Sequence, residues 1–163
     1  MEELSKEILS QLLTPEAEVA PQKTVQPSDV DHWTPAVLLE RAAYLRKIAR
    51  HGDGAAGETL REFPGHAAML SVRNRDGQAE VHENFADLFY VLDGRAGLVT
   101  GGVVVGGVEV APGEMRGVSI DGGLRQELRS GDLAHVPAGV PHQMLISGEN
   151  SFTSFVLKVR EKE

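Results

Sequence analysis

The chain has no cysteine. That excludes disulfides, a thiolate nucleophile and cysteine-bound zinc. Aromatic residues make up only 5% of its 163 residues, so no rows of rings offer a base-stacking platform. Positive charge is also in deficit, with 16 Lys and Arg against 24 Asp and Glu and a net charge of -8. Nucleic acid and anionic membranes both need basic patches, and neither is an expected partner. A small anionic ligand stays compatible, because a local metal or arginine can outweigh the global charge. No apolar run approaches the length that spans a bilayer. Residues 1–7 are acidic and lack the basic-then-apolar layout of a secretory signal, so the cytoplasm is the expected location. A P-loop, a dinucleotide fingerprint and a nucleophile elbow are all missing; Gly101-Gly102 and Gly106-Gly107 lack the strand-to-helix context that phosphate cradling needs.

What is present divides near residue 52. Residues 1–52 read as an N-terminal arm and helices packing on a β-barrel domain of residues 53–163. An amphipathic helix is predicted over 2–13, with Leu4, Ile8, Leu9 and Leu12 on one stripe. Residues 14–31, with Pro15, Pro21 and Pro27, read as an extended arm or as disorder. Thr34-Pro35 looks like a cap and first-turn proline opening a second helix that runs to His51 and stops at Gly52. Val37, Leu38, Arg41, Ala42, Leu45, Ile48 and Ala49 form its expected core-facing stripe.

From Ala67 the period changes. Short runs of Val, Leu, Ile and Phe recur every eight to twelve residues between Gly, Asp and Asn, the spacing of an all-β sandwich or barrel. The expected strands are 67–73, 78–83, 87–92, 96–100, 103–110, 117–120, 124–128, 133–136, 143–147 and 152–159. Residues 101–123 carry eight glycines and form an insertion longer than a hairpin needs. It reads as a β-ribbon with permissive turns, the favoured reading, or as a glycine-hinged flap.

Two segments about fifty residues apart carry the chemistry. Glu80 and His82 share strand parity, so their side chains point the same way. Asp87, Phe89 and Val91 form one face of the next strand, and Leu88, Tyr90 and Leu92 the other. Both faces are apolar apart from Asp87, whose burial is costly without a cation or hydrogen bonds. Downstream, Gly131-Asp132 turns into a short strand, Pro137-x-Gly139 turns again, and His142 opens a strand with Met144 and Ile146 on its face. The remaining histidines carry less: His66 follows a Pro-Gly turn, His135 takes the outer parity, and His32 and His51 flank the helix. Glu109, Glu114 and Arg116 lie in the glycine-rich insertion and could reach a mouth, with solvated turn charges as the favoured reading.

These halves resemble the paired motifs of the cupin superfamily in its small single-domain, RmlC-like form. Gly131, five residues, Pro137, one residue, Gly139, two residues and His142 fit every position of the second motif. In the first, Glu80 stands where a histidine is usual, His82 is the second histidine, Asp87 replaces a glutamate after four residues, and Gly94 follows after six. The resemblance covers roughly residues 67–160. It implies a mainly β, double-stranded β-helix (jelly-roll) barrel, preceded by N-terminal helical segments, with a metal inside one end. The ligands so implied are His82, His142, Asp87 and Glu80, with Glu80 as fourth ligand or as a general base of raised pKa. Imidazole with carboxylate suits Mn, Fe, Ni, Co or Zn and leans away from Cu(I).

The function expected is metal-dependent chemistry on a small organic molecule, of dioxygenase, isomerase, decarboxylase or lyase type. The alternative is a non-catalytic small-molecule binding or sensor module. A homodimer is expected, because the strand of Leu88, Tyr90 and Leu92 is apolar on both faces.

Overall fold

The computed structural model describes residues 30–146 and 151–162. The predicted helix over 2–13 and nearly all of the proline-rich arm lie outside the described residues. Residues from Trp33 onward form one compact unit.

That unit begins with helix α1, Pro35–His51. Thr34 caps it, its side-chain oxygen accepting from Val37 N–H at 3.3 Å, a contact worth about 1 kcal/mol. Pro35 occupies the first turn and Gly52 ends the helix. The buried stripe is Leu38, Ala42, Leu45 and Ala49, narrower than the sequence suggests. Val37 and Ile48 are 42% and 45% exposed, and Arg41 turns outward to pair with Glu58.

Thirteen strands follow among the described residues. They are β1 Ala55–Phe63, β2 His66–Arg73, β3 Ala79–His82, β4 Phe85–Asp93, β5 Arg95–Thr100, β6 Val103–Val105, β7 Val108–Ala111, β8 Glu114–Gly117, β9 Ser119–Asp121, β10 Leu124–Arg129, β11 Leu133–Val136, β12 His142–Leu145 and β13 Phe152–Arg160. One antiparallel sheet runs β1-β2-β13-β4-β11, and a second runs β10-β5-β12-β3-β8-β7. The architecture is the mainly β barrel expected from the sequence.

The two sheets face each other across a filled end and an open end. Val91, Ala96, Leu98, Leu128, Val136, Met144 and Phe152 fill one end. Phe152 is among the largest fully buried side chains, and each such burial contributes roughly 1.5–3 kcal/mol. Toward the other end the same inward parity lines a cavity of about 230 Å3. The outer face of the first sheet is covered by α1, where Ala42, Leu45 and Ala49 pack on Leu70 and Val72, with Leu92 alongside. This covering explains part of the two-faced apolar character of β4. Tyr90, on the same face as Leu92, stays 45% exposed.

Three expectations need correction. The run 103–110 is two strands, because Gly106-Gly107 breaks it. The run 117–120 begins earlier, at Glu114, and breaks at Val118. Strand β1 carries a polar, mostly half-exposed pattern at a sheet edge, so it lacked the apolar alternation that marks a strand. The insertion 101–123 is a ribbon: β6 pairs with β9, and β7 with β8 extends the second sheet. Its glycines supply the turns, several at positive φ. Gln143 anchors it, donating to the carbonyls of Gly77 and Val118 and accepting from Ile120 N–H.

Candidate metal centre

Strand register assembles the site. Strand β3 turns Glu80 and His82 inward, and its neighbour β12 sets His142 opposite Glu80. On the other flank, β8 sets Arg116 opposite Glu80 and Glu114 opposite His82. Asp87 comes from β4 in the facing sheet, where β13 sets Lys158 beside it. Arg73, the last residue of β2, completes the charged lining. The tight Pro137–Gly139 turn delivers His142. Gly139 adopts φ +81, a conformation other residues rarely take, and its N–H donates to the His82 carbonyl at 2.8 Å.

The four residues singled out from the sequence converge. His82, Asp87 and His142 are each 4% exposed. His82 Nε2 stands 3.2 Å from Asp87 Oδ2 and 3.4 Å from Glu80 Oε2. His142 Nε2 stands 3.5 Å from Asp87 Oδ2 and 3.9 Å from Glu80 Oε2. Ligands about 2.0–2.2 Å from one tetrahedral ion lie roughly 3.3–3.6 Å apart, and these four separations of 3.2–3.9 Å bracket that range. Donor atoms of Glu80, His82 and His142 all fall within 4.8 Å of one another. Asp87, although one methylene shorter than glutamate, reaches both imidazoles.

Each of the four also has an outer partner that leaves one donor atom aimed inward. The His82 Nδ1 lies 2.5 Å from Glu114 Oε2, so Nδ1–H donates to that carboxylate. The His142 Nδ1–H donates to the Val140 carbonyl at 3.1 Å. Glu80 turns Oε1 toward Arg73 at 3.4 Å and Arg116 at 3.8 Å, keeping Oε2 inward. Asp87 turns Oδ1 to Lys158 at 3.1 Å, keeping Oδ2 inward. Metal-binding imidazoles commonly show this arrangement, with the second nitrogen donating to a carboxylate or carbonyl. The observation that tests the fit is His142 Nε2, which is buried and makes no hydrogen bond among the described residues, its nearest carboxylate oxygen being Asp87 Oδ2 at 3.5 Å. A buried polar atom left unpaired is costly, and a cation between the four donors removes that cost.

The charges act strongly on one another. Burial is the largest influence on Glu80 and pushes its carboxyl up, as the sequence reading expects of a base. The hydrogen bond with His82 and the charges of Arg116, Arg73 and His142 together outweigh it and hold the group at about 2. The expected raised pKa is therefore reversed, because the sequence did not show two guanidinium groups beside this carboxylate. Burial pushes His82 down, but Asp87 and Glu80 outweigh it and raise the imidazole to about 9. Burial pushes Asp87 up, and the two imidazoles with Lys158 overcome it and hold the group well below the usual carboxylate range.

The sequence reading missed Arg73 and Lys158, and it ranked Glu114 and Arg116 as turn charges ahead of their reaching a mouth. Glu114 and Arg116 are not solvated turn charges; both are about one-quarter exposed and face the site from β8. Glu109 is exposed and accepts from Gly113 N–H. His135 is half-exposed beside Glu161, and His66 stacks on Phe63 at the start of β2, both away from the cavity.

No protein-family model and no curated protein sequence matches the chain. Solved structures do match in fold. An uncharacterized conserved protein with a double-stranded beta-helix domain from Klebsiella pneumoniae aligns with a TM-score of 0.50 and 16% identity, over 66% of this chain and 77% of that one. The cupin domain of a Schizosaccharomyces pombe protein aligns with a TM-score of 0.50 and 11% identity, over 66% of this chain and 65% of that one. At these identities the likeness concerns fold alone. The chain therefore has the double-stranded β-helix fold of these structures, and the histidines of its two sequence motifs meet in one cavity.

Proposed function

We propose that this chain binds one divalent transition metal ion, Mn, Fe, Ni, Co or Zn, through His82, His142, Glu80 and Asp87, and transforms a small organic molecule beside it. The buried Nε2 of His142, which makes no hydrogen bond, carries this reading, supported by the outward tethering of Nδ1 on both imidazoles. Two histidines and a carboxylate also meet the donor requirement of an oxygen-activating Fe(II) site. When bound, such an ion supplies Lewis acidity or oxygen activation.

The chain's own residues do the rest. With an ion bound in place of the His82 Nε2 proton, His82 and His142 would present neutral Nε2 lone pairs; Glu114 and the Val140 carbonyl hold their tautomers, and Phe89, Met144 and Phe152 limit water on the apolar wall. Glu80 serves as a ligand; a carboxyl held at about 2 is a poor base near neutrality. Elemental analysis after purification from metal-replete medium tests the proposal. One ion per chain is expected, lost in His82→Ala and in His142→Ala. Metal-free wild-type protein would sink it.

A second reading, non-catalytic small-molecule binding, is favoured by one observation. The carboxylates of Glu80, Asp87 and Glu114 are already paired with Arg73, Lys158, Arg116 and His82 without any ion. Ligand binding by wild-type and His142→Ala protein alike would support it.

A further inference from the structure

The site's fixed charges constrain what else enters the cavity. Count Asp, Glu, Lys and Arg as ionised, and both imidazoles as neutral ligands. Glu80, Asp87 and Glu114 then balance Arg73, Arg116 and Lys158, three against three. A divalent ion added to this balanced set leaves two positive charges in excess. The excess lies in a space walled by Met69, Phe89, Met144 and Phe152, where uncompensated charge is expensive. An anion is the direct remedy.

The cavity also shows where the anion would sit. Arg73 reaches in from one sheet and Arg116 from the other, with Glu80 Oε1 between them. Both guanidiniums are about one-quarter exposed, against about one-twentieth for the His142 and Asp87 side chains, so they stand nearer the mouth. Arg73 gives Nη2 to Glu80; Arg116 gives Nη1 to Glu114 and to the Met115 carbonyl. A guanidinium carries more N–H donors than these contacts use, arranged in a fork that matches a carboxylate. Size sets the other bound. At ~30 Å3 per water, a cavity of about 230 Å3 holds roughly eight non-hydrogen atoms.

We propose that the metal-loaded cavity takes a small hydroxy- or oxo-carboxylate of about two to four carbons, its carboxylate held by Arg73 and Arg116 and its neighbouring oxygen turned toward the ion. This inference rests on the metal reading above. It goes further by choosing the substrate class and by naming two positioning residues that hold the substrate without ligating the metal.

Cobalt(II) serves as the test ion, because its visible spectrum reports ligand entry without any assay of turnover. Wild-type protein is loaded, its cobalt content measured, and lactate, lactamide and inorganic phosphate titrated by calorimetry and absorption. Lactate is expected to bind at least tenfold more tightly than lactamide and to shift the cobalt bands. Arg73→Gln and Arg116→Gln should each weaken lactate at least tenfold at full cobalt occupancy. Arg73→Lys, which keeps the charge but not the fork, should fall between. Equal binding of lactate and lactamide to cobalt-loaded protein would overturn this inference and leave the metal reading standing. So would tighter binding of phosphate, or lactate affinity unmoved in both glutamine variants. Wild-type protein that takes no cobalt overturns both readings, since the charge excess comes from the ion.

Discussion

Glu114→Gln is the most exacting test of how this site is built, because Glu114 lies in a glycine-rich ribbon and donates nothing to the cluster of metal-facing atoms. Its Oε2 sits 2.5 Å from His82 Nδ1 and 3.3 Å from Arg116 Nη1. Glutamine keeps the length and can still accept from Nδ1–H, so the substitution removes charge and little else. A hydrogen bond to a charged acceptor contributes about 1.5–3 kcal/mol and a neutral one about 0.5–1.5 kcal/mol. The difference is roughly 1–1.5 kcal/mol. Solvent reaches one-quarter of the Glu114 side chain, which places the effect toward the lower part of that range.

Metal affinity should therefore fall about fivefold, just below the ten- to hundredfold seen when outer partners of metal-binding histidines are changed. Competition titration against a chelator of known affinity measures it, with circular dichroism to confirm the fold. Glu109→Gln is the matched control. It lies on the same ribbon, is exposed, and its carboxylate accepts from the Gly113 N–H away from the cavity, so affinity should stay within about twofold. If Glu114→Gln binds metal within threefold of wild type while remaining folded, the carboxylate does not orient His82 and the reasoning fails.

Two other outcomes follow from the ionisation and the backbone. His82 is raised from 6.5 to about 9, so in ion-free protein its charged form contributes about 3 kcal/mol that is complete below pH 6.5 and lost as pH rises to 9. Glu80 is lowered from 4.5 to about 2, so its contribution is complete above pH 4.5 and lost as pH falls toward 2. Urea midpoints of ion-free protein should thus be highest between pH 4.5 and 6.5, and a profile rising from pH 6.5 to 9 would refute the assignment. At Gly94, φ is +85 and an added Cβ would lie 2.0 Å from the Ser151 carbonyl oxygen, whereas at Gly65 nothing lies within 4 Å. Gly94→Ala should cost more than about 2 kcal/mol and Gly65→Ala less than about 0.5 kcal/mol, read from thermal melts; equal costs would contradict the backbone geometry.

The elements that were legible in the sequence are those governed by local rules. Turn chemistry marked Gly131, Pro137 and Gly139, the motif resemblance marked Gly94, and parity placed Glu80 with His82 and put Asp87 on an apolar strand face. The elements that were not legible depend on pairing between distant strands. Glu114 meets His82 from 32 positions away, and nothing near either residue in the chain announces it. A signal did exist in retrospect: Glu114-x-Arg116 and Glu80-x-His82 share the same two-residue period, with opposite charges facing across the pair. Arg73 and Lys158 carried a similar signal. Each lies in phase with inward-facing neighbours, Met69 and Ser71 for Arg73 and Ser154 and Val156 for Lys158, so each was a charge on the buried face of an apolar strand. The helix stripe was read too wide because periodicity cannot tell which edge of an apolar face meets the sheet. Leu38, Ala42, Leu45 and Ala49 are buried; Val37 and Ile48 are exposed.

Register is what turns these strands into a site. The pairings His142 with Glu80, Arg116 with Glu80, Glu114 with His82 and Lys158 with Asp87 place every ligand candidate or its outer partner on a cross-strand neighbour. Side chains alternate faces, so a slip of one residue in β3 would turn Glu80 and His82 out of the cavity together. Strand β3 is only four residues long and cannot hold its register by length alone. The second motif supplies part of the hold. Gly139 N–H donates to the His82 carbonyl at 2.8 Å, and Gly77 N–H donates to the Met144 carbonyl at 2.7 Å, so the segment that delivers His142 is tied to the chain at both ends of β3. Gln143, next to His142, adds a third tie through the Gly77 carbonyl at 2.8 Å. The Pro-x-Gly turn therefore does more than present one histidine: it locks the strand that presents the other, which couples the two motifs physically although about fifty residues separate them in the chain.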